Sequence, residues 1–219
     1  MYSIKEIFYS IQGEGYHAGR PVVLCRFSGC NLWSGREEER SKSICKFCDT
    51  DFVGTDGING GVYRSSAELA HRISLTWPVR KNKSVRPFVV CTGGEPLLQL
   101  DHALISDLHE EGFAIAVETN GTIPIKCYLP VDWITCSPKF DFCPHAELRL
   151  QRIDELKVVY QGQDMTAYDG IEAKEYYLQP CDFKDEARNS ENIAATINYI
   201  KSHPKWKLSL QTQKILSVR

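Results

Sequence analysis

Three cysteines are spaced so that their thiolates can converge. Cys45-Lys46-Phe47-Cys48 is a C-x2-C turn, and fourteen residues separate Cys30 from Cys45. Thiolates are soft ligands that select zinc, copper(I) or iron-sulfur clusters. A structural zinc site closes with four protein ligands; here a fourth is missing locally, or comes from His17, Asp49, Asp51 or a remote cysteine. The C-x2-C pattern is common to zinc sites and clusters, so spacing alone does not choose between them. Asp49, Thr50 and Asp51 follow directly and bring hard oxygen donors that suit magnesium. The same triplet also reads as an ordinary turn or helix cap.

Other segments carry polar groups next to apolar runs. Thr92-Gly93-Gly94-Glu95-Pro96 follows one such run; its glycines let a ligand approach the backbone, and Glu95 can accept from an ammonium group. A plain strand-to-helix turn reads alike. Gln12-Gly13-Glu14-Gly15 is a polar loop able to hydrogen-bond a flat heterocycle, or a simple hairpin turn. Arg26 is either a carboxylate clamp or an ion-pair partner.

Short apolar runs, with helices between several of them, predict a parallel sheet or barrel of βα units. Strands are expected over 22–27, 88–91, 113–117, 133–136, 156–160, 176–179 and 208–211. A capping-box pattern at Ser65 and Glu68 opens a helix with Leu69, Ala70, Ile73 and Trp77 on one face. Further helices are expected from Asp101 to a stop at Gly112, and from Ser190 through Ile200. Glu118-Thr119-Asn120-Gly121, Ser137-Pro138-Lys139 and Gln179-Pro180-Cys181-Asp182 each follow a strand, as Thr92 to Pro96 does. Ligand sites in parallel α/β folds form at the carboxyl ends of strands, so these four segments should meet at one ligand.

The 219 residues, 42% hydrophobic and 25% charged, suit one soluble globular domain spanning 1–219. No signal-like or membrane-spanning stretch is present, which points to a cytoplasmic protein. A net charge of -2 argues against direct nucleic-acid binding. Nine cysteines, an odd number in a chain with no secretory signal, favour metal or redox chemistry over disulfides. Cys25, Cys91, Cys127 and Cys136 lie in or beside apolar stretches and read as small hydrophobes; Cys143 and Cys181 lie in polar connections and are left open.

Taken together, Phe8 to Gly15, Arg26 to Leu32, Cys45 to Thr50, Thr92 to Pro96 and Glu118 to Gly121 resemble the 7-carboxy-7-deazaguanine synthases of queuosine biosynthesis, along nearly the whole chain. The resemblance implies the radical S-adenosylmethionine superfamily, a partial βα barrel, a homodimer, and a flavodoxin- or ferredoxin-like electron donor. It places a 4Fe-4S cluster on Cys30, Cys45 and Cys48, with the fourth iron open to S-adenosylmethionine, and Mg2+ on Thr50. It puts Phe47, Cys48, Asp49, Gly94, Glu118, Ser137, Pro138, Lys139, Gln179, Pro180, Cys181 and Asp182 around the cofactor. Ile11, Gln12, Gly13, Arg26, Thr92, Gln213 and Arg219 would meet the substrate, 6-carboxy-5,6,7,8-tetrahydropterin. No side chain is assigned a catalytic step, since the cofactor supplies the radical chemistry. The chain departs from the superfamily twice: C-x3-C-x2-C becomes a fourteen-residue first interval, and the family's Gln-Thr-His-Lys reads Gln211-Thr212-Gln213-Lys214. The rivals are an activating enzyme of the same superfamily, which abstracts hydrogen from a partner's glycine, and a non-catalytic zinc module.

Overall fold

A computed structural model describes residues 1–46, 48–78, 85–125, 130–140 and 146–218. Nine strands form one sheet in the order β3-β1-β2-β4-β5-β6-β7-β8-β9. They are β1 (Tyr2–Ile11), β2 (Pro21–Phe27), β3 (Gly61–Tyr63), β4 (Phe88–Gly93), β5 (Ala114–Thr119), β6 (Trp133–Cys136), β7 (Glu155–Tyr160), β8 (Glu175–Pro180) and β9 (Lys207–Leu208). From β2 through β4 to β9 every neighbouring pair is parallel; β1 runs antiparallel to both β2 and β3. The sheet stays open, with β3 and β9 as its edges.

The two faces of the parallel strands separate by the period of two. On one face Val23, Cys25, Val89, Cys91, Ile115 and Val117 pack with the apolar sides of α1 (Ser66–Thr76) and α2 (His102–Glu110). Leu156, Val158 and Leu178 continue that face and pack near α3 (Glu186–Ser202) through Tyr199 and Ile200. Each such fully buried side chain contributes about 1.5–3 kcal/mol relative to exposure. The alternate positions face a lumen, where Val22, Phe88, Val90, Ala114 and Ala116 form a small apolar layer with Leu24 and Trp133. Further along the same strands the lumen turns polar, with Arg26, Thr92, Glu118, Thr135, Lys157 and Gln179.

Six of the seven expected strands form with ends within two residues of those read from the sequence. The last is displaced: β9 covers only Lys207 and Leu208, and Gln211 leaves the sheet to precede the short helix α4 (Thr212–Ile215). Strand β1 was not expected. A bulge between Ile4 and Glu6 shifts its register, so the fully buried Ile4 and Ile7 stand three residues apart and the period-two signal is lost. The edge strand β3 has only three residues.

The helix at Ser65 is as read, with Ser65 accepting from the Glu68 amide, although Glu68 returns its bond to Arg64 rather than to the cap. Asp101 caps α2 through the Leu104 amide. The third helix begins four residues before Ser190, because Asp185 caps it through the Arg188 amide. Cys25, Cys91 and Cys136 are fully buried, and burial pushes the thiols of Cys91 and Cys136 up to about 12. Cys181 is buried as well. Cys127 and Cys143 lie outside the described residues.

Candidate functional site

The four segments expected to meet do so. They line one cavity of about 420 Å³ at the carboxyl ends of the parallel strands, through Thr92 and Gly94, Glu118 to Asn120, Ser137 and Lys139, and Gln179. Cys45, Cys48, Asp49, Thr50 and Asp51 stand on its wall, as do Ile11, Gln12, Gly13, Arg26 and Gln213. Of the remaining expected residues, Cys30, Pro138, Pro180, Cys181 and Asp182 lie off the wall. Phe47 and Arg219 lie outside the described residues.

The floor is built by the β1–β2 connection. Gln12 turns its amide oxygen back to the Gly13 amide at 2.8 Å and donates through Nε2 to Glu118 at 3.0 Å. Glu118 also accepts from Thr92 at 3.0 Å, which ties the ends of β4 and β5. The connection, residues 12–20, joins antiparallel strands as a long loop and not as the simple turn the sequence offered, and Gln12, Gly13 and Glu14 in it line the cavity. Gly15 holds a left-handed φ of +65°, which favours glycine, and a Cβ there would press on the Glu155 carboxylate.

Sequence reading missed a buried charge cluster at this floor. Lys157 Nζ lies 2.6 Å from Glu14 and 3.8 Å from Glu118, with its side chain 8% exposed. Burial would lower the ammonium's pKa, but the carboxylates of Glu118, Glu14 and Glu155 outweigh it and hold it well above the ordinary value. Burial likewise opposes ionisation of Glu14, yet the ammonium and the amides of Gln211 and Gln213 hold its carboxyl below the usual range. Glu155 lacks so close a cation and burial raises its pKa, while it accepts from the Tyr16 amide, Trp133 and Thr135. The available signal was Glu155-x-Lys157, two charges on one face of an apolar strand.

Arg26, the candidate clamp, pairs with Glu6 at 3.0 Å and still reaches the cavity. Glu95 is fully buried and off the cavity wall; it accepts from the Leu97 amide at 3.0 Å, the Asn120 amide at 2.8 Å and Thr119 at 2.7 Å. Its carboxylate therefore cross-braces the β4 and β5 ends. The turn reading of the acidic triplet holds for Asp51, which accepts from the Val53 amide and pairs with Lys5. Asp49 pairs instead with Lys214, whose Nζ also lies 2.7 Å from Asp182. Lys214 thereby straps α4 across the mouth, and Thr212 bonds the Gly13 carbonyl from the same segment.

Cys45 and Cys48 stand on the cavity wall, and Cys30 packs beside them. Cys30 and Cys48 pack against Leu32, Trp33, Cys45 and Phe52. The Leu32 amide donates to Cys30 Sγ at 3.4 Å, and Trp33 adds a second backbone bond that favours the thiolate against burial. A Cβ on Gly94 would stand 2.0 Å from the Gly29 carbonyl and 3.0 Å from Cys30 Cβ, so the β4 turn abuts the Cys30 loop directly. Among the described residues no three His, Cys, Asp or Glu side chains close tightly enough on one point to hold a single metal ion. Cys45 and Cys48 on the cavity wall, with Cys30 packed in the same cluster beside them and two amides directed at its sulfur, suit a thiolate-bound group. Thr50 lines the same cavity, and its hydroxyl is a hard oxygen donor of the kind that suits a magnesium ion keeping waters and substrate oxygens.

An open α/β sheet wrapped around a polar lumen, with thiols at the strand ends, defines an enzyme of the partial βα-barrel class. No protein-family model matches the chain. QueE from Escherichia coli has a solved structure that superposes with a TM-score of 0.68 at 26% identity, over 95% of this chain and 93% of that one. Proteins named 7-carboxy-7-deazaguanine synthase are similar over essentially full length. The Bradyrhizobium diazoefficiens protein is 52% identical over 100% of this chain and 99% of its own, and the Burkholderia multivorans protein 48% identical over 99% of each. The Bacteroides thetaiotaomicron protein is 42% identical over the whole of both. The chain belongs to the 7-carboxy-7-deazaguanine synthase family.

Proposed function

We propose that the chain is a radical S-adenosylmethionine carbon-nitrogen lyase. In this reading it contracts 6-carboxy-5,6,7,8-tetrahydropterin to 7-carboxy-7-deazaguanine with loss of ammonia, supplying a precursor of queuosine. The observation that carries the reading is one cavity that has Cys45 and Cys48 on its wall together with the Glu14, Glu118 and Lys157 charges. Cys30, Cys45 and Cys48 would hold the 4Fe-4S cluster, which when bound supplies the electron that cleaves S-adenosylmethionine to start the radical reaction.

The chain's own residues divide the remaining work. Ser137, Lys139, Gln179 and Gly94 border the space beside the cysteines and would hold S-adenosylmethionine there. Gln12, Thr92 and Glu118 form one hydrogen-bonded set suited to the flat, donor-rich edge of a pterin. Arg26 and a magnesium ion on Thr50 would face the substrate carboxylate. Lys214, paired with Asp49 and Asp182, holds α4 beside the cavity and would limit water there. A homodimer and a flavodoxin- or ferredoxin-like reductant belong to the same reading.

The experiment is anaerobic. Reconstituted protein with S-adenosylmethionine, magnesium and a reductant is expected to convert the pterin to the deazaguanine acid. Formation of methionine and 5'-deoxyadenosine without that product would overturn the substrate, and protein carrying zinc but no iron or sulfide would overturn the class.

A further inference from the structure

The fourteen residues between Cys30 and Cys45 lengthen a loop whose job is to bring ligands together, and a longer loop is harder to close and freer when closed. The structure shows what restrains it. A 3-10 turn, Glu37–Lys42, carries Arg40 back over the C-x2-C segment. One terminal nitrogen of Arg40 donates to the carbonyls of both Lys46 and Cys48, at 2.9 and 3.0 Å. Its Nε is held by the Glu37 carboxylate at 2.7 Å, and its guanidinium carbon lies 4.1 Å from the Trp33 ring centre. Trp33 is buried edge-on against Phe52 in the apolar cluster that also holds Cys30, Cys45 and Cys48. The Cys45 amide closes the loop on the Leu32 carbonyl at 3.1 Å.

We propose that Arg40 is a positioning residue for the cluster site: by bonding the Lys46 and Cys48 carbonyls while stacked on Trp33, it restrains the backbone that carries Cys45 and Cys48. The role needs an arginine. Only a planar fork can lie flat on an indole, engage a carboxylate through Nε and bond two carbonyls together, whereas lysine offers the same charge as a mobile point. The Glu37 carboxylate balances the charge, so the effect is one of geometry more than of field. Arg40 does not itself line the cavity, and acts through the backbone of Lys46 and Cys48.

This inference rests on the cluster reading, and the tests separate the two. Arg40→Lys and Arg40→Gln are compared with wild type and with Arg36→Lys, an exposed arginine of the same loop. In apoprotein, tryptic cleavage after Lys46 is expected to quicken about tenfold in both Arg40 variants, the scale of losing one charge-assisted bond. In reconstituted protein, the cluster's iron is expected to pass to a chelator about tenfold faster at unchanged initial loading, again the scale of one such bond. Arg36→Lys is expected to match wild type in both assays. Should an Arg40 variant not fold, Glu37→Gln keeps the guanidinium but frees its Nε, and is expected to shift both rates in the same direction. Wild-type rates in Arg40→Lys for cleavage and iron release would overturn the proposal. Wild-type protein that binds no iron would overturn the cluster reading while leaving the cleavage result to judge Arg40.

Discussion

Replacing Lys157 by methionine keeps most of the side chain's bulk but removes the ammonium from the floor of the cavity. The structure sets the scale. Glu14 lies 2.6 Å and Glu118 3.8 Å from that nitrogen, and both carboxylates are left in the lumen without their cation. Removing one partner of a buried pair costs about 3–5 kcal/mol, because the other charge stays buried and uncompensated. With a urea slope toward the upper end of the usual range, near 3 kcal/mol per M, the unfolding midpoint should fall by about 1–2 M. The pH dependence has a definite sign. The Glu14 carboxyl is held below its unfolded value, so its contribution is complete above about pH 5 and lost as pH falls. The Lys157 ammonium is held above its unfolded value, so its contribution is complete below about pH 10 and lost as pH rises. The deficit of Lys157→Met is therefore expected to be largest near pH 7 and to shrink as the carboxylates protonate. Adding Glu14→Gln should restore part of the loss. Urea unfolding of apoprotein at two pH values measures both effects. A Lys157→Met midpoint within about 0.3 M of wild type at pH 7, on that urea slope, would refute the reasoning, as would a deficit that grows on acidification.

Gly94→Ala forces a Cβ to within 2.0 Å of the Gly29 carbonyl; it should cost about 1–3 kcal/mol and lower the iron bound per chain, read by thermal melting and iron analysis. Lys214→Met unties α4 from Asp49 and Asp182. These pairs are partly exposed, so the stability change should stay below about 1 kcal/mol, while amide exchange over 211–216 quickens. The Asp182 carboxyl is held low chiefly by Lys214, so the wild-type strap should persist above the carboxylate range and loosen in acid, which exchange at two pH values checks. Gln213→His places an imidazole where Glu14 now accepts an amide; activity should acquire a titration between about pH 6 and 7 that wild type lacks, seen in the pH-rate profile.

What the sequence disclosed follows from how local each signal is. The parallel strands were readable because their apolar runs are buried on both faces, and the rim because polar residues follow each run directly. Strand β1 was hidden by its bulge, which replaces alternation with a three-residue interval between Ile4 and Ile7. Asp185 marked the start of α3 in the sequence, but the apolar residues used to find that helix begin later, at Ile193. The cysteines and strand-end motifs pointed to the cavity. The floor did not, because Lys157 meets Glu14 across 143 positions of chain, a pairing only the closed fold reveals. The bracing role of Glu95 was hidden for a related reason: its bonds to Thr119 and the Asn120 amide cross to the neighbouring strand end.

The bond from Thr212 to Gly13 joins positions 199 residues apart. All strands through β8 can pair before residue 212 exists, yet the lumen lacks a side until it arrives. Contacts between such distant parts of a chain form slowly. An elongating chain thus holds helices and sheet in place around an unfinished chamber, and the bonds from Thr212, Gln213 and Lys214 wait on the end of that stretch. Assembly order alone would then keep a reactive guest from being housed in a room with a missing wall.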